Sequence, residues 1–184
     1  HLLPGLEPTG VPRALAGTSH TFPYNDLPKL EALLQQNPDI GVIFMEPQRS
    51  APPLAGFLEG VRDLATRYGA VLIFDECTSG FRRPLGGLHL DLGIEPDIAT
   101  FGKTLGNGYA ITAVIGRSEV MQAAQQTFIS STFWTERIGP TAALAAIAEM
   151  ETSGAPDHIH RIGESVQSTW LELAASTGLT MTVG

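Results

Sequence analysis

The sequence has 184 residues, of which 43% are hydrophobic and 16% charged, and its formal net charge is −8. This composition is typical of one soluble globular domain with a sizeable core, and the negative charge argues against nucleic acid as a partner. No apolar run reaches the roughly 20 residues of a membrane-spanning helix, which argues against a membrane partner. The single cysteine cannot form an internal disulfide, which is typical of a cytoplasmic protein.

The first segment, residues 1–25, is rich in proline and glycine and predicts an extended connector with turns. Asn25 and Asp26 then form a capping signal for a helix. The leucines that follow recur at helical spacing: Leu27, Leu30, Leu33 and Leu34. Regular structure is therefore expected to begin at about residue 26.

A strand, a helix and a second strand are predicted next. Residues 40–45 are an almost continuous apolar run, typical of a strand that is buried on both faces. Pro52-Pro53 opens a helix, and Gly69 ends it. The apolar stripe of this helix consists of Leu54, Phe57, Leu58, Val61, Leu64, Ala65 and Tyr68. Residues 70–75 form the second strand, which a right-handed crossover makes parallel to the first.

Charged residues follow two of the predicted strands. Asp75 and Glu76 come directly after the apolar run 71–74, and Lys103 comes shortly after the run 98–101. Ligands of an open α/β sheet bind at the carboxyl ends of its strands. We therefore expect an acid and a lysine at the same rim of one sheet.

Nucleotide hydrolysis is one reaction that uses an acid and a Gly-Lys pair. A phosphate-binding loop, however, needs another glycine five residues before its Gly-Lys pair. Asp97 occupies that position here, and its charge would repel phosphate. The acidic strand also precedes the lysine, which is the wrong order for such a site. A second chemistry that uses an acid and a lysine is that of pyridoxal phosphate, which a lysine carries as a Schiff base while an acid pairs with the pyridinium nitrogen.

The remaining part of the chain predicts one further strand and three helices. Residues 110–116 form an apolar strand, and Ser118 caps a short helix. Two longer helices are predicted over residues 140–151 and 156–175. The apolar stripe of the last helix is expected to face inward, and it consists of Ile159, Ile162, Val166, Trp170 and Leu173.

Two stretches of the sequence resemble one enzyme family. FDECTSGFRR at 74–83 and PDIATFGKTLGNGYAITAVIG at 96–116 are similar to the class III (fold type I) pyridoxal-phosphate-dependent aminotransferases. Within that family, the DExxxGFR pattern and the Gly-Lys loop resemble the glutamate-1-semialdehyde 2,1-aminomutase branch. The resemblance implies an α/β fold: a three-layer sandwich with a mostly parallel central sheet, like the large domain of these enzymes.

The resemblance also implies the site residues. Lys103 would be the catalytic residue that carries pyridoxal 5'-phosphate, and Asp75 would pair with the ring nitrogen of that cofactor. Cys77 lies where the family commonly has a small aliphatic residue against the ring, so it is expected to pack there and not to act as a nucleophile. Thr132 would bind the phosphate of the partner subunit's cofactor, and Thr135 is the other candidate for this role.

The implied reaction moves an amino group from a small-molecule donor, an amine or amino acid, to a carbonyl acceptor. One alternative is an aminomutase, which moves the amine within a single molecule. An alternative of another class is an incomplete fragment without catalytic activity of its own. A homodimer with shared active sites is implied for the complete protein.

The resemblance further implies that residues 1–184 are a fragment of one cofactor-binding large domain. The sequence does not begin with Met, and it lacks the family's N-terminal phosphate loop. Residues 26–151 would form the core of the sheet and helices, and a helix at 156–177 would lead toward a missing C-terminal domain. We expect no metal site, because His158 and His160 are two residues apart and do not share one helix face.

Overall fold

The computed structural model describes residues 7, 9–133 and 135–183. Six helices and four strands lie in this part of the chain. In chain order they are α1 (Leu27–Gln36), β1 (Val42–Met45), α2 (Phe57–Tyr68), β2 (Val71–Asp75), α3 (Leu88–Leu92), β3 (Ile98–Phe101), β4 (Ala113–Gly116), α4 (Ser118–Met121), α5 (Ile138–Ser153) and α6 (Ala155–Thr177). Short 3-10 turns lie at Arg13–Leu15, Lys103–Leu105 and Gln122–Gln126.

The four strands form one sheet in the order β1-β2-β3-β4. The first three strands are parallel, and β4 runs antiparallel to β3. Met45 is paired with Phe74, and Asp75 is paired with Thr100. The predicted α/β class with a mostly parallel sheet is therefore confirmed. Because β2 and β3 are parallel neighbours, the residues that follow them emerge at one rim of the sheet.

Two local signals act as the sequence predicts. The Asp26 side chain accepts a hydrogen bond from the backbone N of Lys29 at 3.0 Å and so caps α1. Gly69 ends α2 in the left-handed conformation, with φ of 67°, and its N–H bonds back to the last turn of the helix. Glycine adopts this conformation without the steric cost of a Cβ, so the chain can turn at once into β2.

The helices cover one face of the sheet. Ile43, Met45, Leu72 and Phe74 alternate with more exposed residues along β1 and β2, and they pack against the buried stripes of α1 and α2. A second cluster joins Ala99 and Phe101 of β3 to Ala143 of α5. The register places both clusters on the same face, because Phe74 is paired with Ala99.

The other face of the sheet is open in the described part of the chain. Val42 and Phe44 of β1 and Val114 of β4 are 50–57% exposed. The two-residue alternation of strands places Asp75 and Thr100 on this same face. The open face therefore leads directly to the rim where the acid of β2 lies.

Asp97 has a structural role at the opposite end of β3. Its Oδ2 accepts hydrogen bonds from the backbone N of Leu72 at 2.7 Å and from Arg62 at 2.9 Å. Its Oδ1 lies 3.4 Å from Arg117. These contacts tie the starts of β2 and β3 to α2 and to the segment after β4, at the end of the sheet away from Lys103.

Four predictions about individual elements were wrong. The strand at residues 40–45 was expected to be buried on both faces, but Val42 and Phe44 of β1 are 50% and 57% exposed, because that face of the sheet is open in the described part of the chain. Leu54 is 64% exposed and precedes α2, which begins only at Phe57. Ser118 is the first residue of α4 and provides no cap, because the capping position is Arg117. The predicted inward stripe of α6 is 42–60% exposed, because no other described element covers it. The short helix α3 was not predicted.

None of the helices within residues 7, 9–133 and 135–183 has both the length and the apolar character that a membrane crossing requires.

Candidate active site

The rim formed by the ends of β2 and β3 brings the predicted acid and lysine into one site. Asp75 is the last residue of β2, and Lys103 follows β3 after Gly102. Cys77 connects the two segments, because its backbone N donates to Asp75 Oδ1 at 3.0 Å and its Sγ lies 3.4 Å from the point where a Cβ on Gly102 would stand. The structure therefore places three of the four residues predicted for the site in one neighbourhood.

Lys103 begins a 3-10 turn with a backbone φ of +45°, in the left-handed region. For a residue with a long side chain this conformation costs free energy, and such strain is found most often at functional sites. The side chain is exposed, and its Nζ donates a hydrogen bond to Thr78 Oγ1 at 2.6 Å. The turn thus presents a primary amine at the rim, where Thr78 holds it.

Gly106 allows the chain to fold tightly after Lys103. A Cβ at this position would collide with the backbone oxygen of Tyr109 and the side chain of Ile111. The next residue, Asn107, again has a φ of +45°. This compact loop fixes the direction of the Lys103 backbone independently of the rest of the rim.

The Asp75 carboxylate has two oxygens with different surroundings. Oδ1 accepts hydrogen bonds from the backbone N of Cys77 at 3.0 Å and from Thr100 Oγ1 at 3.3 Å. Within the described residues, Oδ2 accepts none. Asp75 is partly exposed, so this second oxygen is available to a donor from outside the chain segment.

Cys77 is half-buried beside this carboxylate. Burial, followed by the neighbouring Asp75 carboxylate, raises the pKa of its thiol, and the smaller effects of Thr100 and Lys103 act in the opposite direction. A nucleophilic cysteine requires the reverse, a lowered thiol pKa. The thiol is therefore a neutral, compact surface next to Asp75.

Glu76 differs completely from Asp75, although the sequence predicts both at the rim. Its side chain is fully buried and accepts hydrogen bonds from Ser79 Oγ, from the backbone N of Leu88 at 3.0 Å and from the backbone N of His89 at 2.9 Å. The His89 ring lies 2.8 Å away through Nδ1. Glu76 therefore holds the loop between β2 and α3 in shape, and this loop carries Cys77 and Thr78.

His89 is a contributor that the sequence did not predict. The sequence assigns it no site role, since a lone histidine is more often structural, and it lies 13 residues from Glu76. The only local signal was the carboxylate itself, since a buried acid requires donors.

The Glu76 cluster makes a prediction about stability. Burial alone would raise the pKa of Glu76, but the hydrogen bonds from His89, Ser79 and the backbone amides outweigh burial and hold the pKa below its ordinary value of 4.5. The carboxylate thus stabilises the fold above that pH, and the stabilisation is lost as the pH falls through the lowered pKa. We expect Glu76→Gln to reduce the free energy of unfolding at neutral pH by about 2–3 kcal/mol, because the amide NH₂ would face other donors.

Urea unfolding at a series of pH values measures this effect, and the gap between wild type and variant should narrow in acid. Glu59 is exposed in the first turn of α2, so Glu59→Gln is the matched control and should change little. A Glu76→Gln protein as stable as the control at neutral pH would contradict the structural role of this carboxylate.

Thr132 is not connected by a described hydrogen bond to the other predicted residues. It is exposed, and none of the described hydrogen bonds joins it to Asp75, Cys77 or Lys103. Its neighbours Phe128 and Phe133 are 96% and 73% exposed. The segment is thus a surface loop in this chain, and the next residue, Trp134, lies outside the described residues.

Comparison with known proteins gives consistent matches. The family model described as aminotransferase class-III matches residues 6–182. The 3-aminobutyryl-CoA aminotransferase of Cloacimonas acidaminovorans (strain Evry) is 43% identical over 150 residues, which are 77% of this chain and 36% of that protein.

Solved structures match the fold as well. The FumI protein of Sphingopyxis sp. MTA144, solved in its PLP internal aldimine form, has a TM-score of 0.83 at 25% identity, covering 90% of this chain and 42% of its own. An omega-transaminase from Sphaerobacter thermophilus has a TM-score of 0.83 at 26% identity, covering 96% of this chain and 43% of its own. The chain thus spans well under half the length of each of these three proteins.

Proposed function

Because the chain belongs to the class III aminotransferase family, we propose that the polypeptide containing it is a pyridoxal-phosphate-dependent aminotransferase. Its reaction moves an amino group from an amine or amino acid to a carbonyl compound. One observation carries this proposal: an accessible lysine amine and a carboxylate oxygen that has no partner among the described residues lie at the same rim of a parallel sheet.

The residues present fit the cofactor by their chemistry. Lys103 provides a primary amine, the covalent partner that an aldehyde requires, and holds it on a strained, well-defined turn. Asp75 provides Oδ2 as an acceptor for a protonated ring nitrogen, and Oδ1 remains engaged with the protein. Cys77 provides a neutral thiol beside this acid, suited to contact with the ring.

Each residue then has a distinct task. The cofactor, when bound, supplies an electron sink for the bond-breaking steps. Lys103 would hold the cofactor covalently through Nζ, and Nζ, when it is not engaged in this way, would remove the proton from the substrate carbon that bears the amine and later return a proton. Asp75 would hold a proton at the ring nitrogen, which would keep the sink effective. Thr78 receives the Nζ group when it is not covalently engaged.

The covalent linkage provides a direct test of this function. The full-length protein is loaded with pyridoxal 5'-phosphate, reduced with borohydride and digested, and the labelled peptide is identified by mass spectrometry. We expect the label on Lys103. A label on another residue, or none, would overturn the proposed function.

The aminomutase remains the second candidate, on the likeness of Asp75-Glu76 and Gly80-Phe81-Arg82 to that branch. An aminotransferase requires two different substrates, whereas an aminomutase requires one. Product formation from a single amino carbonyl compound, without added acceptor, would favour the aminomutase.

The third possibility, a fragment inactive by itself, is consistent with the open face of the sheet and is tested by assaying residues 1–184 alone.

The rest of the polypeptide has a place in this proposal. It covers the open sheet face at Val42 and Phe44 and the exposed apolar stripe of α6, and α6 leads toward a C-terminal domain. The phosphate-binding loop and the aromatic residue that stacks on the ring also lie in that part. These assignments rest on exposed apolar surface, which folded proteins rarely leave uncovered over large areas.

The proposed enzyme is a homodimer in which Thr132 contributes to the partner's phosphate site. The segment from Phe128 to Phe133 is apolar, rich in hydroxyl groups, uncharged and strongly exposed, as an interface loop requires. Ile138, at the start of α5, extends this surface and is 64% exposed.

Thr132→Ala is expected to weaken binding of pyridoxal 5'-phosphate about tenfold or more, because one hydrogen bond to a charged phosphate is lost. Cofactor titration of the full-length protein measures this, and equilibrium sedimentation determines the assembly. Thr135→Ala is the matched comparison, and it should bind as wild type does. If only Thr135→Ala weakens binding, the role belongs to Thr135, and a monomer that binds the cofactor tightly would contradict the shared site.

A further inference from the structure

Thr100, in the middle of the rim, has no role in the function proposed so far. We propose that Thr100 is a positioning residue: its hydroxyl turns the Asp75 carboxylate so that Oδ2 is the oxygen that meets the cofactor's ring nitrogen. This inference rests on the proposed function, because it concerns the partner of that nitrogen.

Strand pairing fixes the two residues relative to each other. Asp75 and Thr100 are directly paired in the parallel ladder of β2 and β3, and both side chains lie on the open face of the sheet. The backbone N of Glu76 donates to the Thr100 carbonyl at 2.9 Å, directly beside this pair. The hydroxyl therefore approaches the carboxylate from a rigid strand and not from a mobile loop.

The two oxygens of the Asp75 carboxylate differ in the hydrogen bonds that they accept. Oδ1 accepts from the backbone N of Cys77 at 3.0 Å and from Thr100 Oγ1 at 3.3 Å. With only one donor, a carboxylate can still rotate about its terminal torsion, because the distribution of this torsion angle is broad for aspartate. Two donors on the same oxygen, one from the loop and one from the neighbouring strand, restrict that tilt.

The hydroxyl has no stronger use elsewhere. Its other described contact is with Cys77 Sγ at 4.0 Å, which is long even for sulfur. A valine would suit a half-buried strand position equally well by propensity. The polar choice at position 100 is thus explained by the Asp75 contact.

The test is a spectroscopic one on the ring nitrogen. The full-length protein is loaded with pyridoxal 5'-phosphate labelled with ¹⁵N in the ring, and the ¹⁵N chemical shift is recorded by NMR. This shift reports whether the nitrogen is protonated and hydrogen-bonded, which a purely structural change elsewhere would not alter. Thr100→Val removes the hydroxyl at nearly constant shape, and Thr100→Ser retains it.

We expect the ¹⁵N chemical shift of Asp75→Asn to move furthest toward that of an unprotonated ring. The chemical shift of Thr100→Val should lie between those of Asp75→Asn and wild type, and that of Thr100→Ser should match wild type. The kcat of Thr100→Val should fall about three- to tenfold at little-changed KM, the size of one modest hydrogen bond. Thr112→Val is the matched control, because Thr112 lies beside Gly102 without a described bond to Asp75.

The possible results separate the two claims. If Asp75→Asn moves the shift and Thr100→Val does not, the role of Thr100 is overturned and the proposed function stands. If Asp75→Asn leaves the shift unchanged, the assignment of Asp75 fails, and the role of Thr100 fails with it. Should Thr100→Val fold poorly, Thr100→Ala is the second hydroxyl-free variant, and the same comparison with Thr100→Ser decides.

Discussion

Lys103→Ala is expected to abolish amino transfer by the full-length protein, with a fall in kcat on the order of 10⁴-fold or more, the scale of losing a covalent catalytic residue. The visible absorbance of covalently held cofactor should disappear with it. The physical reason is that, in the proposed mechanism, Lys103 provides both the amine that holds the cofactor and the base that moves the substrate proton. Its Nζ lies at the sheet rim, held at 2.6 Å from Thr78 Oγ1.

The chain offers a matched control for this substitution. Its only other lysine is Lys29, which lies on α1. Lys29→Ala should keep normal turnover and absorbance. If Lys103→Ala also keeps them, the central assignment of the site is wrong.

A glycine at position 103 tests whether the amine can be lost without loss of stability, because the backbone of Lys103 is strained. Glycine adopts a φ of +45° at much lower cost than any residue with a side chain. Lys103→Gly should therefore be inactive and at least as stable as wild type by urea unfolding. A markedly destabilised Lys103→Gly would contradict the idea that strain at this position is retained for function.

Asp75→Asn is expected to have the second large effect, on the rate of proton removal. The variant should still form the covalent link through Lys103, but proton removal from the substrate should slow by an amount equivalent to about 2–4 kcal/mol, the cost of losing one strong electrostatic stabiliser. An amide has no charge with which to hold a proton on the ring nitrogen. Its oxygen can still accept from the backbone N of Cys77, so the loop should retain its shape.

Pre-steady-state absorbance measurements separate these two steps. The rate of covalent capture should remain close to that of wild type, and the later step should slow. If Asp75→Asn is within twofold of wild type, another acid has the role. Glu46, which follows β1 and forms an ion pair with Arg49 at 3.1 Å, is then the next candidate, since Glu76 is buried and committed to its loop.

The sequence by itself determined most of the architecture. Apolar runs of strand length, each followed by a polar residue, predicted β1, β2 and β3 and their parallel order. The helix N-cap at Asp26 and the helix end at Gly69 could be predicted because they depend on local backbone chemistry. The same patterns placed Asp75 and Lys103 at one rim, since strand direction alone decides which end a residue occupies.

Tertiary structure decided what each of those residues does there. Asp75 and Glu76 are adjacent acids in the sequence, yet one keeps an oxygen free at the rim and the other is enclosed by donors from Ser79 to His89. The left-handed backbone of Lys103 depends on the loop that follows it. An acid's role is set by the donors around it, and several of those donors, such as Thr100 for Asp75 and His89 for Glu76, come from residues distant in the chain, so periodicity and local propensity carry no information about them.

The apolar stripe of α6 shows the same division. Its spacing correctly predicted a helix, because helical periodicity is a local property. It could not indicate which surface covers that stripe, and the stripe is exposed among the described residues. Helix formation and helix placement are separate events: hydrogen bonds within the segment decide the first, and the shape and apolar area of neighbouring elements decide the second.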